Sequence, residues 1–479
     1  SSWIALLFCT RLGMDGDEIP DEAASVYGDL IQLNVGGRLF ETTLATVRSG
    51  GPDSLLYALS TRSTADQIFI DRDPEIFSIL LSLLRSGRLS SAARRLSKQE
   101  LTEEALYYGI DSNLRAAISP PQFSGIDASK VSTVRLASDG QPSAFSGGDD
   151  GSIWIAHGGQ MSSFDWALLH TSTIRTHLES ISSVVRVLPE IAAVGSESEP
   201  GLHFYDLARS RHLGTINWSD PADPRIYKAC VTSLTESPSQ IYASFECPHR
   251  ENAVLSIDKA THQTVSEIAR QSGNSSKFIA PTKLVWMPET GTVFCSAITC
   301  GAFGYSGYVR IWDPRMGSIV WETNEPGSGR SSRFGDSFAD VDVDTLNSLL
   351  FKVCSKSGDV GMADMRILGE DPWIYLKDRS PSINYRVGET SLLLHCYQNQ
   401  VFVARDGALE VWSKLSGKDG NGEDLYRRNL VDKEEDSSRG IIKRIGNGGN
   451  RLFVSRHGME DIEVWESSHF SEAIQIRCG

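Results

Sequence analysis

A chain of 479 residues exceeds one ordinary domain and is long enough to bury two or more cores. Its formal charge is -15: up to Pro120 it carries 11 basic and 16 acidic residues and beyond it 35 and 45, so both parts are mildly acidic. That balance leaves no basic stripe for a phosphate backbone, which excludes nucleic acid and an anionic membrane as expected partners.

The first residues, SSWIALLFCTRLGMDGDE, hold a short apolar run with no basic flank before it. Met14 followed by an acidic stretch suggests that residues 1–13 precede the natural start, and residues 1–27 read as a flexible tail. No apolar run reaches the roughly 20 residues that cross a bilayer. The eight cysteines are scattered without a C-x-x-C, the usage of reduced thiols in cytoplasm or nucleus. Cys247 and His249 could supply two of the four ligands of a zinc ion, but no second pair has matching spacing.

Residues 28–118 form the first folded unit. LIQLNV (30–35) and RLFET (38–42) are two strands joined by Gly36-Gly37, a hairpin turn pair. A polar helical start follows at Thr43, and then SLLYAL, a short apolar helix capped by Asp53 or Ser54. In IFIDRDPEIFSILLSLLRS (68–86) a strand turns at a charged corner into a helix: Asp73 caps it, Pro74 fits its first turn, and Gly87 ends it. Ile76, Phe77, Ile79, Leu80, Leu81, Leu83 and Leu84 point almost all round the axis, so the helix must be enclosed by its own domain or by a second subunit. In LTEEALYYGI, Leu101, Ala105, Leu106 and Tyr108 share a face and Gly109 closes the helix.

This order resembles the BTB/POZ domain, in its branch similar to the tetramerisation domain of potassium channels. The residues that carry the likeness are Asn34, Val35, Gly36, Gly37, Phe40 and Thr42 in the hairpin, Pro52, Ser54 and Leu56, then Asp71, Arg72, Asp73, Pro74 and Phe77 at the corner, and the LTEEALYYGI helix. The resemblance implies self-assembly into a closed ring of four or five chains, with Asp71, Arg72 and Asp73 near the subunit interface. No membrane span follows, and the His and Cys pattern that holds zinc between channel subunits is missing, so the soluble members are the implied relatives.

Residues 119–130 (SPPQFSGIDASK) read as a linker. Beyond it, in 131–479, seven segment ends align: GSIWI, LHFYD, VLSID, VRIWD, VGMAD, LEVWS and IEVWE. Their closing positions (155, 206, 258, 313, 364, 413, 466) lie 49 to 55 residues apart. This looks like a WD-repeat or YVTN-type β-propeller, seven-bladed by that count, with the aromatics packed between blades. The fold expected is thus an α/β BTB/POZ domain followed by an all-β propeller. Two insertions, 324–337 and 416–440, are candidate partner-contacting loops.

No phosphate-binding, nucleophile-elbow or zinc-protease motif occurs, and GAFGYSG (301–307) lacks the strand-to-helix setting of a phosphate cradle. The expectation is a non-catalytic protein with no cofactor, metal or catalytic residue. By resemblance, the BTB unit oligomerises and binds cullin-3 through its helices at 53–60 and 74–86 and the loop 60–67. The propeller would hold an unknown protein substrate for ubiquitination. The alternative is a ubiquitin-independent scaffold that presents propellers to signalling, trafficking or transcriptional partners.

Overall fold

The computed structural model describes residues 30–61, 68–136, 140–271, 279–301, 304–325, 337–369, 372–377, 391–418, 424–432 and 440–467. The chain divides into two units, Ser1–Ser119 and Pro120–Gly479. The tail expected at 1–27, most of the loop 60–67 and large parts of both insertions lie outside the described residues.

In the first unit β1 (Leu30–Val35) and β2 (Arg38–Thr43) make the hairpin, and β3 (Ile68–Ile70) runs parallel to β1 on its other side. A parallel partner demands a crossover; α1 (Leu44–Arg48) and α2 (Leu55–Ser60) lie in that connection. Thr43 caps α1, and Ser54 rather than Asp53 caps α2, its hydroxyl oxygen accepting from the Tyr57 N–H at 3.1 Å. At α3 (Pro74–Ser86) Asp73 Oδ1 accepts from the N–H groups of Glu75 (2.7 Å) and Ile76 (3.2 Å), and left-handed Gly87 ends the helix. Phe77, Ile79, Leu80, Leu81, Leu83 and Leu84 are all buried, so α3 is enclosed by its own domain.

A capping box of Ser97 and Glu100 starts α4 (Lys98–Tyr108), which left-handed Gly109 closes. Leu101, Ala105 and Tyr108 are buried, but Leu106 is 59% exposed, contrary to the face expected for it. At 100° per residue Leu106 lies a full step off the Leu101, Ala105 and Tyr108 stripe. Sequence reading stopped at Gly109 and missed α5 (Asp111–Ile118), a helix of two turns that buries only Leu114. So weak an apolar period carries little signal.

The turn explains why this hairpin and this corner occur together. Gly36 has φ +56°, and its N–H donates to the Ile70 carbonyl at 2.9 Å. A Cβ there would lie 2.5 Å from the Arg72 carbonyl oxygen and 3.0 Å from Pro74 Cδ. Left-handed backbone costs a substituted residue about 1–2 kcal/mol, and the collision with backbone adds to it. Gly36→Ala should therefore lower the stability of the first unit by at least about 2 kcal/mol in urea unfolding; an unchanged midpoint would contradict this packing.

In the second unit the described residues contain seven four-stranded sheets: 142–175, 183–216, 230–271, 283–325, 338–375, 392–432, and a last one of 442–467 completed by β4 (Ala128–Arg135). Each packs on the next and the last packs on the first, giving the closed ring of a β-propeller. Closure is covalently staggered, since β4 comes from the start of the unit and pairs antiparallel with Asp461–Ser467 at its end. The expected aromatic wedges are present: Trp312 packs with Tyr242 and Val254 of the preceding sheet, and Trp412 with Phe351 and Val360.

Two expectations are corrected. The linker at 119–130 belongs to the propeller: Phe123 is buried against Phe402 and Tyr397, the Gly125 N–H donates to Gln400 Oε1 at 2.6 Å, and β4 begins at Ala128. Prolines break the helix as their chemistry requires, but an adjacent Phe gains by burial. The second unit therefore starts near 120, not 131.

In the first repeat, GSIWI is the second strand of its sheet, whereas all six later motifs lie on third strands. The true counterpart is Phe164-Asp165, which shortens the first interval to 41 residues (165 to 206). The first five repeats share an aspartate cap on the turn to the fourth strand, where the last two have Ser413 and Glu466. Asp165 Oδ1 accepts from the Ala167 N–H (2.9 Å), Asp206 from Arg209, Asp258 from Thr261, Asp313 from Arg315 and Asp364 from Arg366. This is the turn-closing bond that short carboxylates make two or three residues ahead.

Candidate interaction surface

Among the described residues the first unit's sheet is covered on one face. Ile31, Leu33 and Val35 point into the core, while Leu30 and Gln32 alternate outward and Asn34 is half-buried on that same side. Across the strands Leu39, Asn34 and Phe69 are in direct register and so share the open face. Leu39 is 57% and Phe69 62% exposed, and the side-chain oxygen of Asn34 between them has no hydrogen-bond partner. Two large apolar groups in one cross-strand row on an open sheet form a patch suited to a protein contact.

The corner residues divide by role. Val35, Thr42 and Phe77 are core; Phe77 meets Phe40 and Tyr108 with ring centroids 5.0 and 5.2 Å away. Gly36 and Gly37 make the turn, and Asp73 and Pro74 start α3. Asp71 is exposed. Arg72 reaches toward α4, where its guanidinium lies 3.8 Å from the centre of the Tyr107 ring and donates to Glu104 Oε1 at 3.2 Å. Burial raises the Glu104 carboxyl pKa, against the pull of Arg72, and burial likewise pushes the Tyr108 hydroxyl up. Of the charged triplet, then, Asp71 and Arg72 are available at the surface, and Asp73 is a helix cap. Sequence reading missed Leu39, Phe69 and Tyr107, because only the sheet register and the α4 position show that they face out.

On the expected cullin surface, α2 turns Leu56, Leu59 and Ser60 inward, and α3 presents Glu75 and Arg85 to solvent. Glu75 pairs with Arg38 at 2.9 Å, and Arg85 donates to the Glu41 carbonyl at 2.7 Å.

On the propeller, a cavity of about 810 Å³ opens between the first two sheets, lined among others by Asp149, Asp150, Glu190, Glu236 and Arg186. Arg186 lies over the Trp154 ring at 4.5 Å and donates to Ser152 Oγ at 2.7 Å. With five carboxylates, Asp165 included, to one guanidinium, the cavity favours a basic segment of a partner. The Cys247 and His249 pair gathers no metal set: Cys247 is buried, and His249 faces the Tyr227 hydroxyl at 3.3 Å. No described helix is long and apolar enough to cross a membrane.

Comparison with known proteins follows this division. Residues 31–117 match the model of the BTB/POZ domain, and residues 136–467 match that of the At2g24240-like C-terminal beta propeller. Over 471 residues the chain is 33% identical to the BTB/POZ domain-containing protein At5g41330 of Arabidopsis thaliana, covering 95% of this chain and 98% of that protein. It is 27% identical over 461 residues to At4g30940 of the same plant, covering 92% and 98%. The human BTB/POZ domain-containing protein KCTD3 is 38% identical over 99 residues, 19% of this chain and 12% of that protein. Both matching models describe interaction domains, and no enzyme family is indicated.

Proposed function

The chain belongs to the BTB/POZ proteins with an At2g24240-like C-terminal β-propeller, and from that premise we propose that it is a substrate adapter of a cullin-3 RING ubiquitin ligase. In this reading the BTB unit joins copies of the chain and docks cullin-3, while the propeller holds the protein to be modified. The single observation that carries it is the open row of Leu39, Asn34 and Phe69 on a folded unit joined to a propeller closed on itself. One unit thus offers a surface for assembly and the other a rigid platform for capture. The mechanism is proximity: an adapter that holds a lysine beside a charged conjugating enzyme replaces chemistry by positioning, and several copies in a ring add avidity for weak segments. Among the described residues Cys230, Cys247, Cys295 and Cys396 form no disulfide, which suits a reducing compartment such as cytoplasm or nucleus.

Calorimetry of the full-length chain against the N-terminal domain of cullin-3, with light scattering for the mass, tests this directly. Binding at about 1 µM or tighter supports the adapter. An oligomer indifferent to cullin-3 replaces it with a ubiquitin-independent scaffold.

The assembly surface has its own test. Phe69→Glu combined with Leu39→Glu should lower the solution mass toward that of one chain. Both positions are exposed, so the unfolding midpoint should move by no more than about 0.5 kcal/mol equivalent per site. An unchanged mass would place the subunit contact elsewhere.

A further inference from the structure

Three histidines far apart in sequence meet on the outer edge of the second propeller sheet. His203 lies on the strand Leu202–Asp206, His212 on the neighbouring outermost strand Arg211–Ile216, and His177 in the loop that enters this sheet from the first. One ring nitrogen from each lies within 4.8 Å of the others. The ring centroids are 5.0 Å apart for His177 and His203, 4.7 Å for His177 and His212, and 6.0 Å for His203 and His212.

The fold fixes this arrangement. Register pairs His203 with Thr215 and Tyr205 with His212, so all four side chains stand on one face of the sheet. The loop carrying His177 is pinned beside it, because the Thr176 N–H and hydroxyl both donate to the Gly159 carbonyl and the Ile181 N–H donates to that of Gly158. That approach requires glycine at 159, where a Cβ would lie 2.2 Å from the Leu178 carbonyl oxygen.

The polar contacts orient the rings as metal ligands are oriented. Thr215 Oγ1 lies 2.9 Å from Nδ1 of His203 and 3.1 Å from Nε2 of His212, and the Tyr205 hydroxyl lies 2.8 Å from Nδ1 of His177. Second partners of this kind fix tautomer and ring direction at histidine metal sites. His203 is only 3% exposed, yet its Nε2 is buried with no hydrogen-bond partner. A buried imidazole nitrogen left unmatched costs free energy, unless something else in the site can take its lone pair.

We propose that His177, His203 and His212 form a site for a zinc ion, with the fourth position of the tetrahedron open to solvent. Three imidazoles suit a borderline divalent ion and disfavour calcium or magnesium, which take oxygen ligands. Nitrogens at 2.0–2.1 Å from zinc stand roughly 3.4 Å apart, so the ligands must close up slightly. His177 and His212 are exposed and free to make that adjustment. The ion would tie the incoming loop to the outer edge of the second sheet and so staple the seam between two neighbouring sheets.

The test uses the untagged full-length protein stripped of metal by a chelator. Titration with zinc chloride should show one equivalent bound with Kd below about 10 µM. Cobalt should give the intense visible absorption of a four-coordinate ion. His212→Ala and His177→Ala alter exposed residues, so the protein stays folded, and each should weaken zinc binding at least about 100-fold, as much as or more than loss of an outer partner. Thr215→Val should weaken it about 10- to 100-fold, and His249→Ala should leave it unchanged. Zinc should raise the thermal midpoint of the wild type and not of the two histidine variants. Absence of stoichiometric binding, or binding that survives His212→Ala and His177→Ala, would overturn the site.

Discussion

Replacing Phe77 by Asp should unfold the first unit and reduce any oligomer to single chains. Phe77 has no exposed surface, and its ring meets Phe40 and Tyr108 between the sheet and α4. Removing such a ring costs about 3–5 kcal/mol through lost contacts and the space left behind. A carboxylate in that space adds desolvation, because the side chains that meet Phe77 are the rings of Phe40 and Tyr108. A domain of roughly 90 residues has only about 5–15 kcal/mol in all, so the sum consumes most of its stability. Calorimetric scanning of the full chain should lose the transition of the first unit and keep that of the propeller, and light scattering should report a lower mass. A variant with unchanged mass and unchanged transitions would refute the packing assigned to α3.

The second large effect is expected at Lys283, on the first strand of the fourth propeller sheet. Its ammonium lies 3.4 Å from both Asp340 and Asp342 of the next sheet and donates to the Leu394 carbonyl at 3.1 Å. The Asp340 carboxylate also accepts from the Leu394 N–H, and that of Asp342 from the Cys396 N–H, both at 2.8 Å. The network thereby links three consecutive sheets. Burial raises the Asp340 pKa. It would raise that of Asp342 too, but Lys283 and His395 hold Asp342 down to about 2.

Lys283→Met leaves both carboxylates without their cation and should cost about 3–5 kcal/mol at pH 7. The sign of its pH dependence follows from the carboxylates. In the wild type Asp342, depressed in the folded state, contributes stability that is present above pH 3.8 and lost as pH falls through 2, about 2 kcal/mol in all. In the variant the pull of Lys283 is gone while burial remains, opposed by His395 and the Leu394 and Cys396 N–H groups, so both folded-state pKa values rise above those of the wild type and protonation costs less. The gap between the two proteins should therefore be widest at pH 7 and narrow toward about pH 4.5, measured by urea unfolding at both. Equal gaps at the two pH values would show that Lys283 does not neutralise this pair.

Much of the molecule was legible in the chain because its signals are local. Asp73, Pro74 and Gly87 bound α3 through caps and backbone preferences that act within a few residues. Gly36-Gly37 fixed the hairpin, and the regular spacing of strand ends marked the propeller, because each sheet repeats the same run of strands and turns. The same reasoning failed where a signal was short or borrowed. GSIWI imitated the third strand of its repeat, and Phe123 looked like linker because its partners Tyr397 and Phe402 are some 275 residues away in sequence.

Tertiary structure alone decided the rest. The chain's local signals marked the capped helices, the hairpin and the division into two units, but not the weakly amphipathic helix Asp111–Ile118 or the strand Ala128–Arg135, since capping, periodicity and turn chemistry are encoded between neighbours. Only the fold decided that Leu39 and Phe69 share an open face, that Lys283 faces two carboxylates of the next sheet, and that His177, His203 and His212 converge. Register between strands and closure of the ring bring residues together across distances on which the order of the chain places no restriction.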